Sequence, residues 1–220
     1  MGLSFPVTAS VARVCEHIRE AIQKSQYPAG SWIRELMVAR EAAVSRTTVR
    51  QALNALAAEG YVELHPNRGA MVVDWTVERL LQVFELRAML EGYGCELAAV
   101  HREDTEVDRL QQEADRFSAL VEAAGERSSR AVAESNNAFH TLILSAARNP
   151  QLTSLLAAVV QVPLVTQTFS RYDEAALRRS AQQHQDLVQA IRRRDRDWAH
   201  ATMRSHILAA RQVLQDRSPD

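Results

Sequence analysis

Lysine is all but missing from this chain: of its 26 basic residues 25 are arginine, and Lys24 is the exception. The skew reads as the mark of a GC-rich genome and not of a mechanism. Its chemical consequence is that contacts to phosphate or carboxylate fall to arginine, whose planar fork favours bidentate geometry. Cysteine is scarce as well. Cys15 and Cys95 are lone thiols in helical segments, so they read as buried small hydrophobes and not as a disulfide. Only 7 glycines and 6 prolines among 220 residues, with 46% apolar, exclude collagenous, disordered and low-complexity classes. No apolar run is long enough to span a bilayer. The N-terminus lacks a basic segment leading into an apolar one, and Pro6 stands where a myristoylation signal needs Ser or Thr. A cytoplasmic protein without membrane contact is expected. Neither sign of charge dominates, since 26 Lys+Arg face 27 Asp+Glu. That balance excludes a wholly basic nucleic-acid binder and leaves room for a local basic face.

What is present falls into two regions of different pattern. Val11, Val14, Ile18 and Ile22 recur at helical spacing over 8–25, and the pattern stops at Tyr27-Pro28-Ala29-Gly30. A short helix, Glu35 to Ala42, follows. Ser45 then caps a helix over Arg46 to Ala58 that buries Val49, Ala52, Leu53 and Leu56 and stops at Gly60. Tyr61 to Leu64 and Met71 to Val73 are strand-like, with a hairpin at His65 to Gly69 between them. Three helices and a two-stranded wing make a winged helix-turn-helix over 8–74. From Thr76 on no strand signal recurs, and six helices are expected near 77–100, 104–124, 129–148, 150–170, 173–193 and 196–215. Asn149-Pro150, Asp173 and Asp195 are start signals, and Pro163 should kink or break its helix. The fold class is thus mainly α, with a second, all-helical domain over 77–215.

Local charge singles out one element. Between Arg34 and Arg50, four arginines (Arg34, Arg40, Arg46, Arg50) face only Glu35 and Glu41. Opposite the buried face of the capped helix lie Thr47, Arg50, Gln51 and Asn54, with Arg46 at its start. Arg can donate two bonds to guanine, Gln or Asn can pair with adenine, and a helix start favours a phosphate. The segment Ala43-Val44-Ser45-Arg46-Thr47-Thr48-Val49-Arg50-Gln51-Ala52-Leu53, with Glu59-Gly60-Tyr61-Val62 and Arg68-Gly69, resembles the DNA-binding signature of GntR-family bacterial transcription regulators over about residues 10–73. The resemblance implies DNA contacts from Arg46 and Arg50 and a wing tip at Arg68-Gly69 near the minor groove. The family usually has Arg where this chain has Leu36. Either Arg34 or Arg40 supplies the missing contact, or the operator preference differs.

In the second region His140, His184 and His206 each sit on the apolar stripe of a different helix, and Asn136 lies one turn before His140. One such imidazole is usually a satisfied core residue; three together suit a divalent metal in a bundle interior. His17, His65, His101 and His200 read as surface residues. Asn136 to His140, Asn149 to Leu152, His184 to Ile191 and Asp195 to His206 are similar to the FCD ligand-binding domain of the FadR-like GntR branch. Many members of that branch bind a metal through an Asp and three His. The resemblance places the three on His140, His184 and His206 and the acidic position on Asn136, which weakens a site for Zn, Ni or Mn. Neutral ligands leave the ion its full charge, which favours a carboxylate effector. Arg87 either clamps that carboxylate or pairs with Glu91; Gln167, Arg171 and Tyr172 are further effector candidates, and Arg192 to Arg194 reads as a solvated helix end. The expected function is a homodimeric regulator, a repressor of a pseudo-palindromic operator in double-stranded DNA, and not an enzyme. Two alternatives stay open: a DNA-binding dimer with a merely structural His cluster, and a metalloenzyme, which lacks an evident base near the His set.

Overall fold

The computed structural model describes residues 9–66, 68–123, 128–160, 168–169 and 171–216. The chain divides into two compact units, Met1–Trp75 and Thr76–Asp220. In the first, α1 (Ala9–Gln23) and α2 (Glu35–Glu41) both pack on α3 (Arg46–Ala58). Val14, Ile18, Val38, Val49 and Leu56 are completely buried between them. The Ser45 hydroxyl accepts from the Thr48 backbone N–H at 3.1 Å and so satisfies one of the free donors at the start of α3. At the other end Gly60 (φ +83°) donates to Ala57 and Tyr61 donates to Leu56, closing the helix in the left-handed turn expected of a glycine stop.

The sheet contains a strand more than the two expected. β1 (Trp32–Ile33), β2 (Val62–His65) and β3 (Gly69–Val72) form an antiparallel sheet in the order β1-β3-β2. Two residues offer no alternation to read, so β1 is invisible to periodicity. It nevertheless buries Ile33 completely and brings its backbone against the wing: a Cβ on Gly69 (φ +100°) would sit 2.7 Å from the Ile33 carbonyl oxygen. Only glycine accommodates that approach.

The second unit is a bundle of α4 (Val77–His101), α5 (Asp104–Glu122), α6 (Ser129–Ala146), α7 (Pro150–Val159), α8 (Glu174–Arg192) and α9 (Arg196–Asp216). α4 lies along α9 and also meets α6, α7 and α8, while α5 packs on α6 and α8. Asn149, Asp173 and Asp195 accept from the backbone N–H groups of Leu152, Ala176 and Trp198 at 3.1, 2.8 and 3.0 Å, the capping roles their positions predict. The helix expected over 150–170 ends at Val159, because Val160 turns to an extended conformation. Pro163 lies outside the described residues. Arg192 to Arg194 are exposed but not merely solvated: Arg194 donates to the Val100 carbonyl at 2.7 Å, and Arg102 donates to the carbonyl of Arg192 at 2.6 Å. These bonds tie the free carbonyls ending α4 and α8 to guanidinium groups. Cys15 and Cys95 are both free and buried. No described helix is long and apolar enough to cross a membrane.

Candidate functional site

In the first unit the exposed side of α3 faces a cleft of about 670 Å³ walled by the start of α2 and the β2–β3 hairpin. Arg34, Arg46, Arg50, Arg68 and Gly69 line it; Arg40, Ser45, Thr47 and Gln51 are exposed outside its lining. Of the two arginines expected to stand in for a cation at Leu36, the cleft therefore contains Arg34 and not Arg40. Leu36 itself is 47% exposed and lines the same cleft. Sequence reasoning missed the role of Glu35. Arg50 grips its carboxylate with Nε and Nη2 at 2.9 and 3.0 Å, and Arg46 adds Nη2 at 3.2 Å. The Arg50 hydrogen bond holds the Glu35 carboxyl below its usual range. His65, expected at the surface, is half-buried and edge-on to Trp32, with ring centroids 5.0 Å apart.

In the second unit α6, α8 and α9 bring His140, His184 and His206 together. Each offers a ring nitrogen, and these atoms all lie within 4.8 Å of one another. All three side chains are buried. Phe139 stacks on His184 at 4.2 Å and Phe117 tilts against it at 4.5 Å, so aromatic packing fixes that ring. Burial pushes the His184 and His206 imidazoles down, the latter to about 3, so both are neutral, the form that ligates metal.

Hydrogen bonds then set which nitrogen points inward. His140 Nδ1 is 2.5 Å from Glu91 Oε2, and Arg87 Nε donates to Glu91 Oε1 at 2.7 Å. Burial by itself would raise the Glu91 carboxyl, but Arg87 and His140 beside it hold it well below the usual carboxylate range. An ionised Glu91 accepts only, so the Nδ1 proton of His140 donates to it and Nε2 is left as the ligand atom. His206 Nδ1 lies 3.2 Å from Gln183 Oε1, an equivalent arrangement. Sequence reasoning saw Glu91 only as a partner for Arg87. The pair is present, and the link to His140, 49 residues on, is what it missed.

The donor set fits a metal. His140 Nε2, both ring nitrogens of His184 and Asn136 Oδ1 are buried with no hydrogen-bond partner among the described residues, a costly state that coordination would relieve. Beside them is a cavity of about 10 Å³, lined in part by Arg87, Asn136, Thr168, Tyr172 and His206. Burial raises the Tyr172 phenol and keeps it protonated. Arg171 does not line this cavity, although its Nη1 is buried without a partner among the described residues. Gln167 lies outside the described residues.

Comparison with known proteins agrees with both halves. Residues 10–72 match the model for bacterial regulatory proteins of the gntR family, and residues 82–209 match the FCD domain. The chain is similar to the "Probable D-xylose utilization operon transcriptional repressor" of Paenarthrobacter nicotinovorans, 27% identical over 92% of this chain and 87% of the relative. It is also similar to the transcriptional regulator LutR of Bacillus subtilis, 27% identical over 78% of this chain and 85% of LutR. Among solved structures, E. coli McbR/YncC superposes with a TM-score of 0.71 at 16% identity, covering 96% of this chain and 99% of that one, which speaks for the fold. The chain belongs to the GntR family, in the branch with an FCD domain, and is a transcription regulator and not an enzyme.

Proposed function

We propose that the chain is a ligand-responsive repressor that binds a pseudo-palindromic operator in double-stranded DNA as a homodimer in the cytoplasm. It lets go when a small organic acid binds next to a divalent metal. His140, His184, His206 and Asn136 hold that metal, with Zn, Ni and Mn as the candidates. The single observation that carries the sensor half is the convergence of three buried imidazoles from α6, α8 and α9 within 4.8 Å of one another, those of His140 and His184 with ring nitrogens unpartnered among the described residues. A bound ion would supply a positive centre undiminished by its four neutral ligands and so attractive to a carboxylate. Arg87 is braced through Nε by Glu91 and lines the adjoining cavity, where its guanidinium can pair with the acid; Tyr172 offers a hydroxyl there. A cavity of about 10 Å³ holds about one water. An acid therefore displaces side chains as it enters, and that displacement is the differential contact a regulatory ligand needs.

On the DNA side, Arg46, Thr47, Arg50 and Gln51 of α3 are the base-reading candidates. Arg34, Arg40, Ser45, Arg68 and Gly69 surround them as backbone contacts. The repressor name of the Paenarthrobacter relative supports the direction of control. Leu86, Met89 and Tyr93 form a stripe at helical spacing along α4, 48%, 60% and 44% exposed, a face suited to a second copy.

Thermal melting of metal-free protein tests the sensor. Zn, Ni or Mn should raise the wild-type melting temperature, by about 2.7 kcal/mol of stability at a hundredfold excess over Kd. Organic acids should add to the shift only with metal present, and His184→Ala should show neither effect. A wild type indifferent to all three metals would favour a DNA-binding dimer whose His cluster is only structural.

A further inference from the structure

Two features of the cleft in the first unit are left over from the family reading. One is a carboxylate in the middle of a surface meant for a polyanion; the other is that both candidate base-reading arginines are bound to it. Glu35 opens α2, yet its side chain is only 16% exposed, because Arg46 and Arg50 from α3 close over it while staying 63% exposed themselves. These contacts span 11 and 15 residues of sequence, so they are a property of the turn between the helices and not of one helix face.

The geometry of the Arg50 contact is informative. A guanidinium has a side edge, Nε with one Nη, and an end edge formed by both Nη groups. Glu35 occupies the side edge of Arg50, through Nε and Nη2. The end edge is the fork that donates to guanine O6 and N7 together. A carboxylate clamped on one edge thus fixes the plane of the other, and the arginine meets the groove with its rotamer freedom already spent. The same carboxylate cancels one of the two positive charges, so a phosphate gains less from that pair. Sequence-independent binding should fall while guanine readout is kept.

We propose that Glu35 is a specificity-determining residue: it braces Arg50, and with it Arg46, for guanine and suppresses binding to DNA that offers no guanine at those positions. The inference rests on α3 being the recognition helix. The test is selection of duplexes from a random-sequence pool by the full-length protein, followed by anisotropy titrations on the selected duplex and a scrambled one. Glu35→Gln keeps size and shape but loses the charge. It should bind the scrambled duplex more tightly, and its preference for the selected over the scrambled duplex should fall by about tenfold or more, with guanine relaxed at the contacted positions. Glu35→Asp keeps the charge but withdraws the carboxylate by one methylene; it should lose preference without gaining affinity for the scrambled duplex. If wild type enriches a sequence and Glu35→Gln tightens both duplexes equally, or changes neither, the inference is overturned and the recognition helix stands. If wild type enriches no sequence, both fall. A variant that merely unfolded would lose both duplexes together, and an unchanged melting temperature for Glu35→Asp excludes that.

Discussion

Glu91 holds two cationic or proton-donating partners at once, and in a buried setting that arrangement has a definite energetic meaning. Removing one member of a buried charge set strands the others without solvent, so Glu91 is costly to lose and specific in what it orients. If it fixes the His140 tautomer, Glu91→Gln should weaken zinc binding by about 10–100-fold, measured by competition with a chromophoric chelator. Asn136→Asp should act in the opposite direction, because a carboxylate partly neutralises the ion it touches. Equal zinc affinities in wild type and both variants would remove Asn136 and Glu91 from the site. The three imidazoles were legible in the sequence because each lies on the apolar stripe of its own helix, where a polar residue stands out. Glu91 was visible as the i+4 partner of Arg87, but its bond to His140 crosses 49 residues, and no periodicity encodes a contact between helices. Glu35 escaped for the same reason.

Among the elements, α3 followed its sequence signals to the residue, since a Ser cap, a buried 3–4 spacing and a glycine stop all agree. The turn before it does not follow the rules so well. Ala43 takes a left-handed conformation (φ +51°) just after α2, with Val44 donating back to the Ala39 carbonyl at 3.0 Å, where a glycine would ordinarily sit. An L-residue there costs about 1–2 kcal/mol, and glycine gives some of that back as unfolded-chain entropy. Ala43→Gly should therefore stabilise the protein by about 0.5–1 kcal/mol in urea denaturation, after both terms are counted. A loss of stability would mean the Ala43 methyl packs usefully in that turn. Two elements depart from the expected bounds, each for its own reason. β1 is two residues long and exists because β3 is there to pair with it, and α7 stops at Val159 although the apolar pattern runs on. A pairing partner leaves no periodic trace, and an apolar run does not show how many residues before Pro163 its helix ends.

At the scale of the molecule, a nearly neutral chain conceals two units with separate chemistry. One concentrates arginine around a cleft; the other buries imidazole, amide and a charged pair in an apolar bundle. The winged-helix and all-helical architecture was readable from cap residues and apolar spacing, because those signals are local. The effector was not readable, because its recognition depends on how side chains from four helices meet. In the proposed regulator a ligand beside the His cluster must change affinity at the cleft, and it can do so only if it binds two arrangements of the protein unequally. The most direct test is the affinity of zinc-loaded protein for its selected duplex, titrated with small mono-, di- and tricarboxylic acids. At least one acid should weaken wild-type binding by about 5–150-fold and leave His184→Ala unaffected. Duplex affinity that stays constant across all the acids, with zinc bound, would contradict the account.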